Sequence, residues 1–135
     1  MNYYFSFVMK KEKPKKLTEK EAEVMQNLWS KGPQTIRELL ATYPDPKPHF
    51  NTVATIVRIL ADKGYVEHVG ERNGAYTYGA TVDSSDFCGR SLAQLVKNYF
   101  NNSYRSVVSA LVEDEKISVD ELREIIDMVE RNSKK

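Results

Sequence analysis

Apolar residues recur every three or four positions in the first regular stretch of this chain, which is typical of an amphipathic helix. The stretch LTEKEAEVMQNLW contains Thr18 three residues before Glu21, the spacing of a capping box that begins a helix. Gly32 and Pro33 then interrupt the pattern. The first predicted helix has an apolar face formed by Ala22, Met25, Leu28 and Trp29.

A second, shorter helix is predicted directly after this interruption. Thr35 and Glu38 repeat the capping-box spacing. The prolines within residues 44–48 end this helix, because proline lacks the backbone N–H that a helix interior needs. The apolar face of the second helix is formed by Ile36, Leu39, Leu40 and Tyr43.

The third helical pattern, HFNTVATIVRILADKG, has an outward face with little charge. Asn51, Thr55 and Arg58 fall on this face at 100° per residue, and Gly64 is predicted to be the C-cap residue. Asn and Thr are poor helix formers, so Glu or Lys would serve better on a face that only meets water. The opposite, apolar face is formed by Val53, Ile56, Val57 and Leu60.

Two short runs rich in β-branched and aromatic residues follow, at residues 65–69 and 75–79. The segment GERNG joins them, and its Asn73-Gly74 pair is typical of a tight hairpin turn. Three helices followed by a hairpin form a winged helix-turn-helix domain. In that domain the third helix enters the major groove of DNA, and the hairpin is the wing.

The pattern from residue 83 onward is helical again and predicts three amphipathic segments. NNS at residues 101–103 separates the first two, and Ser118 with Glu121 forms a capping box for the third. These segments carry more apolar surface than they can bury by themselves, so we expect a second copy of the chain to cover it. The predicted dimerisation residues are Leu92, Leu95, Tyr99, Val108, Leu111, Leu122, Ile125, Ile126 and Val129.

The expected fold is therefore mainly α with a small β-hairpin, in three parts. Residues 1–16 form a flexible basic arm, residues 17–82 a winged-helix DNA-binding domain, and residues 83–135 a helical dimerisation domain. Whether translation starts at Met1 or at Met9 stays open, and no signal peptide is expected.

Composition limits the class of protein. With 135 residues, of which 41% are hydrophobic and 29% charged, the chain is globular in composition. The single cysteine, Cys88, excludes an internal disulfide and a site built from several thiolates, which fits the cytoplasm. Cys88 itself is predicted to be a small buried apolar group rather than a redox sensor. No run reaches the about 18 apolar residues of a membrane span, so no membrane insertion is expected.

Charge is divided unevenly along the chain, although the net charge is only +1. Residues 1–111 hold 15 Lys and Arg against 11 Asp and Glu, whereas residues 112–135 hold 5 against 8. The first part can therefore face an anion such as DNA more easily than the last. A pI near 7.8 does not by itself indicate nucleic-acid binding.

The outward face of the third helix has side chains that match base edges. Asn bonds adenine in bidentate fashion, Thr and Ala meet the thymine methyl, and Arg takes guanine or a phosphate oxygen. An arginine at the tip of a wing is placed for a phosphate. The predicted DNA-binding residues are His49, Asn51, Thr52, Ala54, Thr55, Arg58 and Arg72.

Two stretches carry a resemblance to a known family. LTEKEAEVMQNLW and NTVATIVRILADKGYVEH are similar to the penicillinase and methicillinase repressors and their copper-responsive relatives, the BlaI/MecI/CopY family. The resemblance covers residues 17 to about 130. It implies a dimeric winged-helix repressor that binds a palindromic operator, with an N-terminal DNA-binding domain and a helical C-terminal dimerisation domain.

Departures from the family pattern affect what else the resemblance implies. Better-known members have a basic residue in place of Asn51 and an arginine in place of Ala54, so the operator is expected to differ. Antibiotic-responsive members are cleaved at an Asn-Phe bond by a membrane sensor protease, and the matching position here is Ala110-Leu111. The cysteine-rich tail of copper-responsive members is absent.

An enzyme and a protein-binding module are the two alternatives to a DNA-binding protein. An enzyme needs a nucleophile with its base, paired carboxylates or metal ligands, and His49, His68 and Cys88 form no such set. No enzyme activity, cofactor or metal is therefore expected. The remaining alternative is a winged helix that binds another protein and not DNA.

Overall fold

The structure is a computed structural model that describes residues 16–133, so nearly all of the predicted basic arm lies outside it. Its elements confirm a mainly α fold with one two-stranded antiparallel hairpin. One compact unit ends at Ser91 and a second begins at Leu92. In chain order the elements are α1 (Glu19–Lys31), α2 (Ile36–Ala41), α3 (Phe50–Asp62), β1 (Val66–Arg72), β2 (Ala75–Ala80), α4 (Ser84–Tyr99), α5 (Tyr104–Glu113) and α6 (Val119–Ser133).

Capping boxes begin three of the helices, as the sequence predicted. At α1, Thr18 N–H donates to Glu21 Oε1 at 3.0 Å and Glu21 N–H donates to Thr18 Oγ1 at 3.1 Å. Thr35 with Glu38 at α2 and Ser118 with Glu121 at α6 show the same reciprocal pair. Each box satisfies two backbone donors that have no partner inside the helix.

Helix α3 ends slightly differently from the prediction. The C-cap residue is Lys63, and Gly64, the predicted cap, follows it with a φ of +88°. Tyr65 N–H then donates to Leu60 O at 2.9 Å and satisfies a carbonyl of the last turn. Gly64 therefore follows the C-cap residue, at the position where the backbone becomes left-handed and favours glycine.

The hairpin is longer than predicted because its turn uses two residues only. Asn73 and Gly74 have φ of +53° and +81°, as a tight turn between two strands requires, and Arg72 pairs with Ala75 directly beside it. A register shift lies between His68 and Gly70.

A backbone bridge joins the hairpin to the connection between α1 and α2. Gln34 N–H donates to Tyr78 O at 3.1 Å, and Tyr78 N–H donates to Gln34 O at 2.8 Å. This contact was not predicted, because Gln34 has no strand-like sequence around it. The bridge fixes the base of the hairpin beside the start of α2.

The core of the first unit lies where α1, α2, α3 and the hairpin meet, and the three predicted apolar faces contribute to it. Phe87 of α4 also packs there, with its ring centroid 5.4 Å from that of Tyr65 and 5.6 Å from that of Trp29. The buried residues are Val24, Met25, Leu28, Leu39, Val53, Val57, Leu60, Tyr65 and Val66.

Cys88 is exposed, so the prediction that it is a buried apolar group was wrong. Its neighbour Phe87 occupies the position of α4 that faces the core. The next residue on a helix points about 100° away, which directs the Cys88 thiol outward.

The start of α1 and the end of α3 are joined by an ion pair. Lys63 Nζ lies 2.7 Å from Glu21 Oε1, where the Glu21 side chain is almost fully buried. The same ammonium donates to Lys16 O at 3.0 Å. The hydrogen bond from Lys63 lowers the pKa of Glu21, against the opposing effect of burial.

Among the described residues, no helix is both long and apolar enough to cross a bilayer.

We expect Glu21→Gln to lower the free energy of unfolding by about 1 kcal/mol at pH 7. Glutamine keeps the capping hydrogen bond but offers no charge to Lys63. Since the pKa of folded Glu21 is lowered, its contribution is complete above the ordinary carboxyl pKa and is lost as the pH falls through the lower, folded value. Urea unfolding at fixed protein concentration should therefore show a difference at pH 7 that shrinks as the pH falls below the ordinary carboxyl pKa.

The control is Glu19→Gln, which removes an exposed carboxylate from the same turn of α1. It should change the free energy of unfolding less than Glu21→Gln does. A difference between wild type and Glu21→Gln that persists undiminished in acid would contradict this role of the ion pair.

Candidate nucleic-acid interface

Helix α3 has one face in the core and one face free. Val53, Val57 and Leu60 are buried, and α3 packs on α1, α2 and β1. Because residues that point in and residues that point out alternate at helical spacing, this burial turns the opposite face of α3 outward. The outward face thus belongs to a helix that is held by its neighbours on the other side.

The predicted DNA-binding residues of α3 lie on or beside this free face. Asn51, Thr52 and Arg58 are exposed, whereas Ala54 and Thr55 are partly buried. His49 is the N-cap residue of α3 and is exposed, and its side chain makes no capping hydrogen bond. The predicted set therefore forms one surface along α3 from its N-terminus to Arg58.

Arg58 is available to a ligand. Its side chain is exposed, and it has no ion pair or hydrogen bond within residues 16–133, the part of the chain described. Asn51 and Thr55 likewise make no side-chain hydrogen bond there. An exposed arginine beside uncharged hydrogen-bonding side chains is an arrangement that reads base edges and phosphates.

Arg72, which was predicted from the sequence to contact a phosphate, already has partners within the chain. Its guanidinium forms an ion pair with Glu38 Oε1, and its other terminal nitrogen lies 3.5 Å from Pro33 O. The Thr35 N–H, and next the Arg72 side chain, lower the pKa of Glu38 by hydrogen bonding to its carboxylate. Arg72 thus differs from Arg58, since a phosphate would have to replace an existing partner.

The sequence reasoning missed a second basic group near the start of α3. Arg37, in the first turn of α2, places its guanidinium carbon 5.5 Å from the centroid of the Phe50 ring. Phe50 is the first residue of α3 and is partly exposed. Stacking on this ring holds the cation at the start of α3. The sequence shows an arginine in the first turn of α2, but nothing in it indicates that this arginine contacts Phe50.

The second unit has very little core of its own. Within its described residues, Val96 is the one buried apolar side chain, Leu122 is partly buried, and α5 and α6 share few contacts. The other predicted dimerisation residues are all exposed. These are Leu92, Leu95, Tyr99, Val108, Leu111, Ile125, Ile126 and Val129.

Residues 17–131 match the family described as penicillinase repressor. The chain belongs to this family. Its members are transcriptional repressors and not enzymes. The penicillinase repressor of Bacillus licheniformis is 26% identical over 126 residues, covering 88% of this chain and 94% of the relative. The methicillin resistance regulatory protein MecI of Staphylococcus aureus (strain N315) is 27% identical over 108 residues, covering 78% and 85%.

Among solved structures, the transcriptional regulator Tm0710 from Thermotoga maritima is similar with a TM-score of 0.48 and 23% identity. That match covers 87% of this chain and 80% of the other. The winged-helix arrangement of this penicillinase repressor family member is apparent from its own three helices, hairpin and buried core.

The Ala110-Leu111 bond, which the sequence resemblance matched to the family's cleavage position, lies inside a helix. Ala110 and Leu111 both lie inside α5, and α5 continues to Glu113. Leu111 is 40% exposed. A protease needs an extended chain, so α5 has to open locally before this bond becomes a substrate.

We expect Asn51→Ala to leave the free energy of unfolding unchanged or to raise it by a few tenths of a kcal/mol. Asn51 is exposed, makes no side-chain hydrogen bond in the described chain, and Ala is the better helix former. The control Leu60→Ala, on the buried face of the same helix, should lower it by about 2 to 5 kcal/mol. A large loss of stability in Asn51→Ala would show that Asn51 serves the fold rather than a ligand.

Proposed function

We propose that this family member represses transcription by binding a palindromic DNA operator as a homodimer. The observation that carries the proposal is the free face of α3, a packed helix whose outward side chains are short, uncharged hydrogen-bonding groups followed by Arg58. A buried core holds that helix, so its exposed groups are presented in a fixed arrangement. Fixed geometry is what recognition of base edges in the major groove needs.

Asn51, Thr52, Ala54, Thr55 and Arg58 read the operator in this proposal. Asn51 donates to and accepts from an adenine edge, Thr55 and Ala54 contact thymine methyl groups, and Arg58 takes guanine or phosphate. These side chains differ in their hydrogen-bonding chemistry, so they discriminate between base pairs. The operator is accordingly expected to differ from that of relatives with basic residues at the equivalents of Asn51 and Ala54.

Arg37, His49 and Arg72 contact the phosphate backbone in this proposal. Arg37 stacks on Phe50 beside the start of α3, His49 lies at the N-cap of α3, and Arg72 flanks the turn of the wing. Contacts to phosphates position the domain but carry little sequence information. They supply the part of the affinity that falls with salt.

The homodimer in this proposal forms through the second unit. Exposed leucine, isoleucine, valine and tyrosine side chains on α4, α5 and α6 have few partners within their own unit. A soluble chain does not leave so much apolar surface in water, and a second identical copy covers it with a closed symmetric interface. Two α3 helices then read half-sites about one DNA turn apart, ~34–36 Å, or a multiple of it.

Proteolysis by a membrane sensor protease at Ala110-Leu111 would add a step to this function. Because the bond lies inside α5, local opening of that helix has to precede cleavage. Cleavage there would separate α6 from the remainder of the chain and remove its apolar face from the dimer.

A winged helix that contacts only protein is the alternative. It predicts that DNA affinity is weak and insensitive to Arg58. The exposed Arg58 beside the uncharged hydrogen-bonding side chains of Asn51 and Thr52 favours DNA, because that combination matches base edges and phosphates.

DNA affinity should fall steeply with salt, and variants of α3 and of α2 should change it in two distinguishable ways. We expect a slope of log K against log salt of about −0.9 for each phosphate neutralised. Asn51→Ala should lower the ratio of operator to scrambled-duplex affinity, by the equivalent of about 1 to 3 kcal/mol for the lost base contact. Arg37→Ala should weaken both duplexes equally.

Fluorescence anisotropy measures these affinities at about 50 and 200 mM salt. The DNA is a fragment from upstream of the gene that encodes this protein, chosen by footprinting. Lys31→Ala, an exposed cation at the far end of α1, is the control. Affinity without salt dependence, together with unchanged binding by Arg58→Ala, would favour the protein-contact alternative.

Ile126→Asp should convert the dimer into a monomer in light scattering and weaken operator binding. A carboxylate buried in an apolar interface without a partner is costly enough to separate the subunits. Asn132→Asp adds the same charge to α6 and removes no apolar side chain, so it should stay dimeric. A dimeric Ile126→Asp variant would place the interface elsewhere.

A further inference from the structure

One oxygen of Glu38 serves two partners that come from different parts of the first unit. Glu38 Oε1 accepts a hydrogen bond from Thr35 N–H at 2.9 Å, which closes the capping box of α2. The same oxygen receives the guanidinium of Arg72 from the end of β1. The side chain of Glu38 is thus both a helix cap and the anchor of the wing.

We propose that Glu38 is a positioning residue that holds Arg72 against α2 in the free protein and gives it up to a DNA phosphate when the wing binds. The inference rests on the proposed function, and it adds to that function a carboxylate that competes with DNA for the wing arginine. Glu38 thereby sets how much affinity the wing contributes.

The capping role of Glu38 does not require its charge. Glutamine serves equally at this position of a capping box, because an amide oxygen accepts the same backbone N–H. At α6, Glu121 caps in the same way and has no cationic partner among residues 16–133. The negative charge of Glu38 is therefore available for Arg72.

Two contacts fix the wing beside α2, one at its base and one at its end. The backbone bridge between Gln34 and Tyr78 holds the base, and the Glu38–Arg72 pair holds the end that flanks the turn. The bridge uses backbone atoms and does not depend on Arg72. Releasing Arg72 therefore leaves the base of the wing in place and frees only the arginine to move.

Because both side chains of the pair are exposed, replacing the Glu38 carboxylate by a phosphate costs Arg72 little free energy. The side chain of Arg72 is 47% exposed and that of Glu38 is 39% exposed. Exposed ion pairs are weak because water and salt screen them. A phosphate offers an arginine the same bidentate geometry as a carboxylate, so DNA can take over the guanidinium. The released Glu38 carboxylate then lies near the duplex and opposes binding.

The test is the variant Glu38→Gln, which keeps the cap and removes the charge. We expect it to bind operator and scrambled duplex alike about two- to fivefold more tightly, the range expected from loss of an exposed ion pair. The ratio of the two affinities should stay constant, because phosphate contacts carry no base information.

A double-mutant cycle with Arg72→Ala separates competition for Arg72 from general charge repulsion. In the Arg72→Ala background, Glu38→Gln should have no more effect than Glu71→Gln. Glu71 is the matched control, since it is an exposed acid next to Arg72 in β1 with no ion pair in the described chain. An equal gain from Glu38→Gln with and without Arg72, or weaker binding by Glu38→Gln, would overturn the inference.

The ion pair is also measurable without DNA. NMR titration of the Glu38 carboxyl should show its pKa rising in Arg72→Ala, since one of the groups that lower it has gone. An unchanged Glu38 pKa would show that the contact with Arg72 is not formed in solution. That result would overturn the inference even if the protein binds its operator. A wild-type chain that binds no DNA would instead overturn the proposed function, whatever the titration shows.

Discussion

Burial of the inner face of α3 is the constraint on which the rest of the structure depends. Val53, Val57 and Leu60 are held in the core shared with α1, α2 and the hairpin, and this fixes which side of α3 meets solvent. A helix that packs on one side only would roll if its apolar face were smaller or less regular. The Glu21–Lys63 pair adds a polar contact between the start of α1 and the end of α3. In the proposed function, recognition of a groove by α3 would therefore be a consequence of packing on its opposite side.

The two units of the chain use their apolar residues in opposite ways. The first unit collects them from three helices and the hairpin into one core, whereas the second leaves most of them exposed. Folding can bury a face only when another element of the same chain lies against it, and α5 and α6 share few contacts. The apolar surface of the second unit is therefore better explained by association than by folding. DNA binding and dimerisation would then reside in separate parts of one short chain.

Most local features could be predicted from sequence because they depend on residues close together in the chain. The three capping boxes, the Asn73-Gly74 turn and the order of the elements follow from spacings of a few residues. The errors have local causes as well. The C-cap of α3 is Lys63 rather than Gly64, since the left-handed residue comes one position later. Cys88 is exposed because Phe87 occupies the core-facing position of α4.

Periodicity and capping are encoded within a few residues, so the chain alone predicted the apolar face of the helices and the starts of the three helices that have capping boxes. It thereby identified the outward row of α3 as the candidate site. Which groups of that region are exposed and which are paired depends instead on contacts between distant parts of the chain. Arg72 and Glu38 are 34 positions apart, and Arg37 meets Phe50 across the connection between two helices. Such contacts depend on how the packed elements bring residues together that are far apart in the chain. The spacing of neighbouring residues carries no information about those distances.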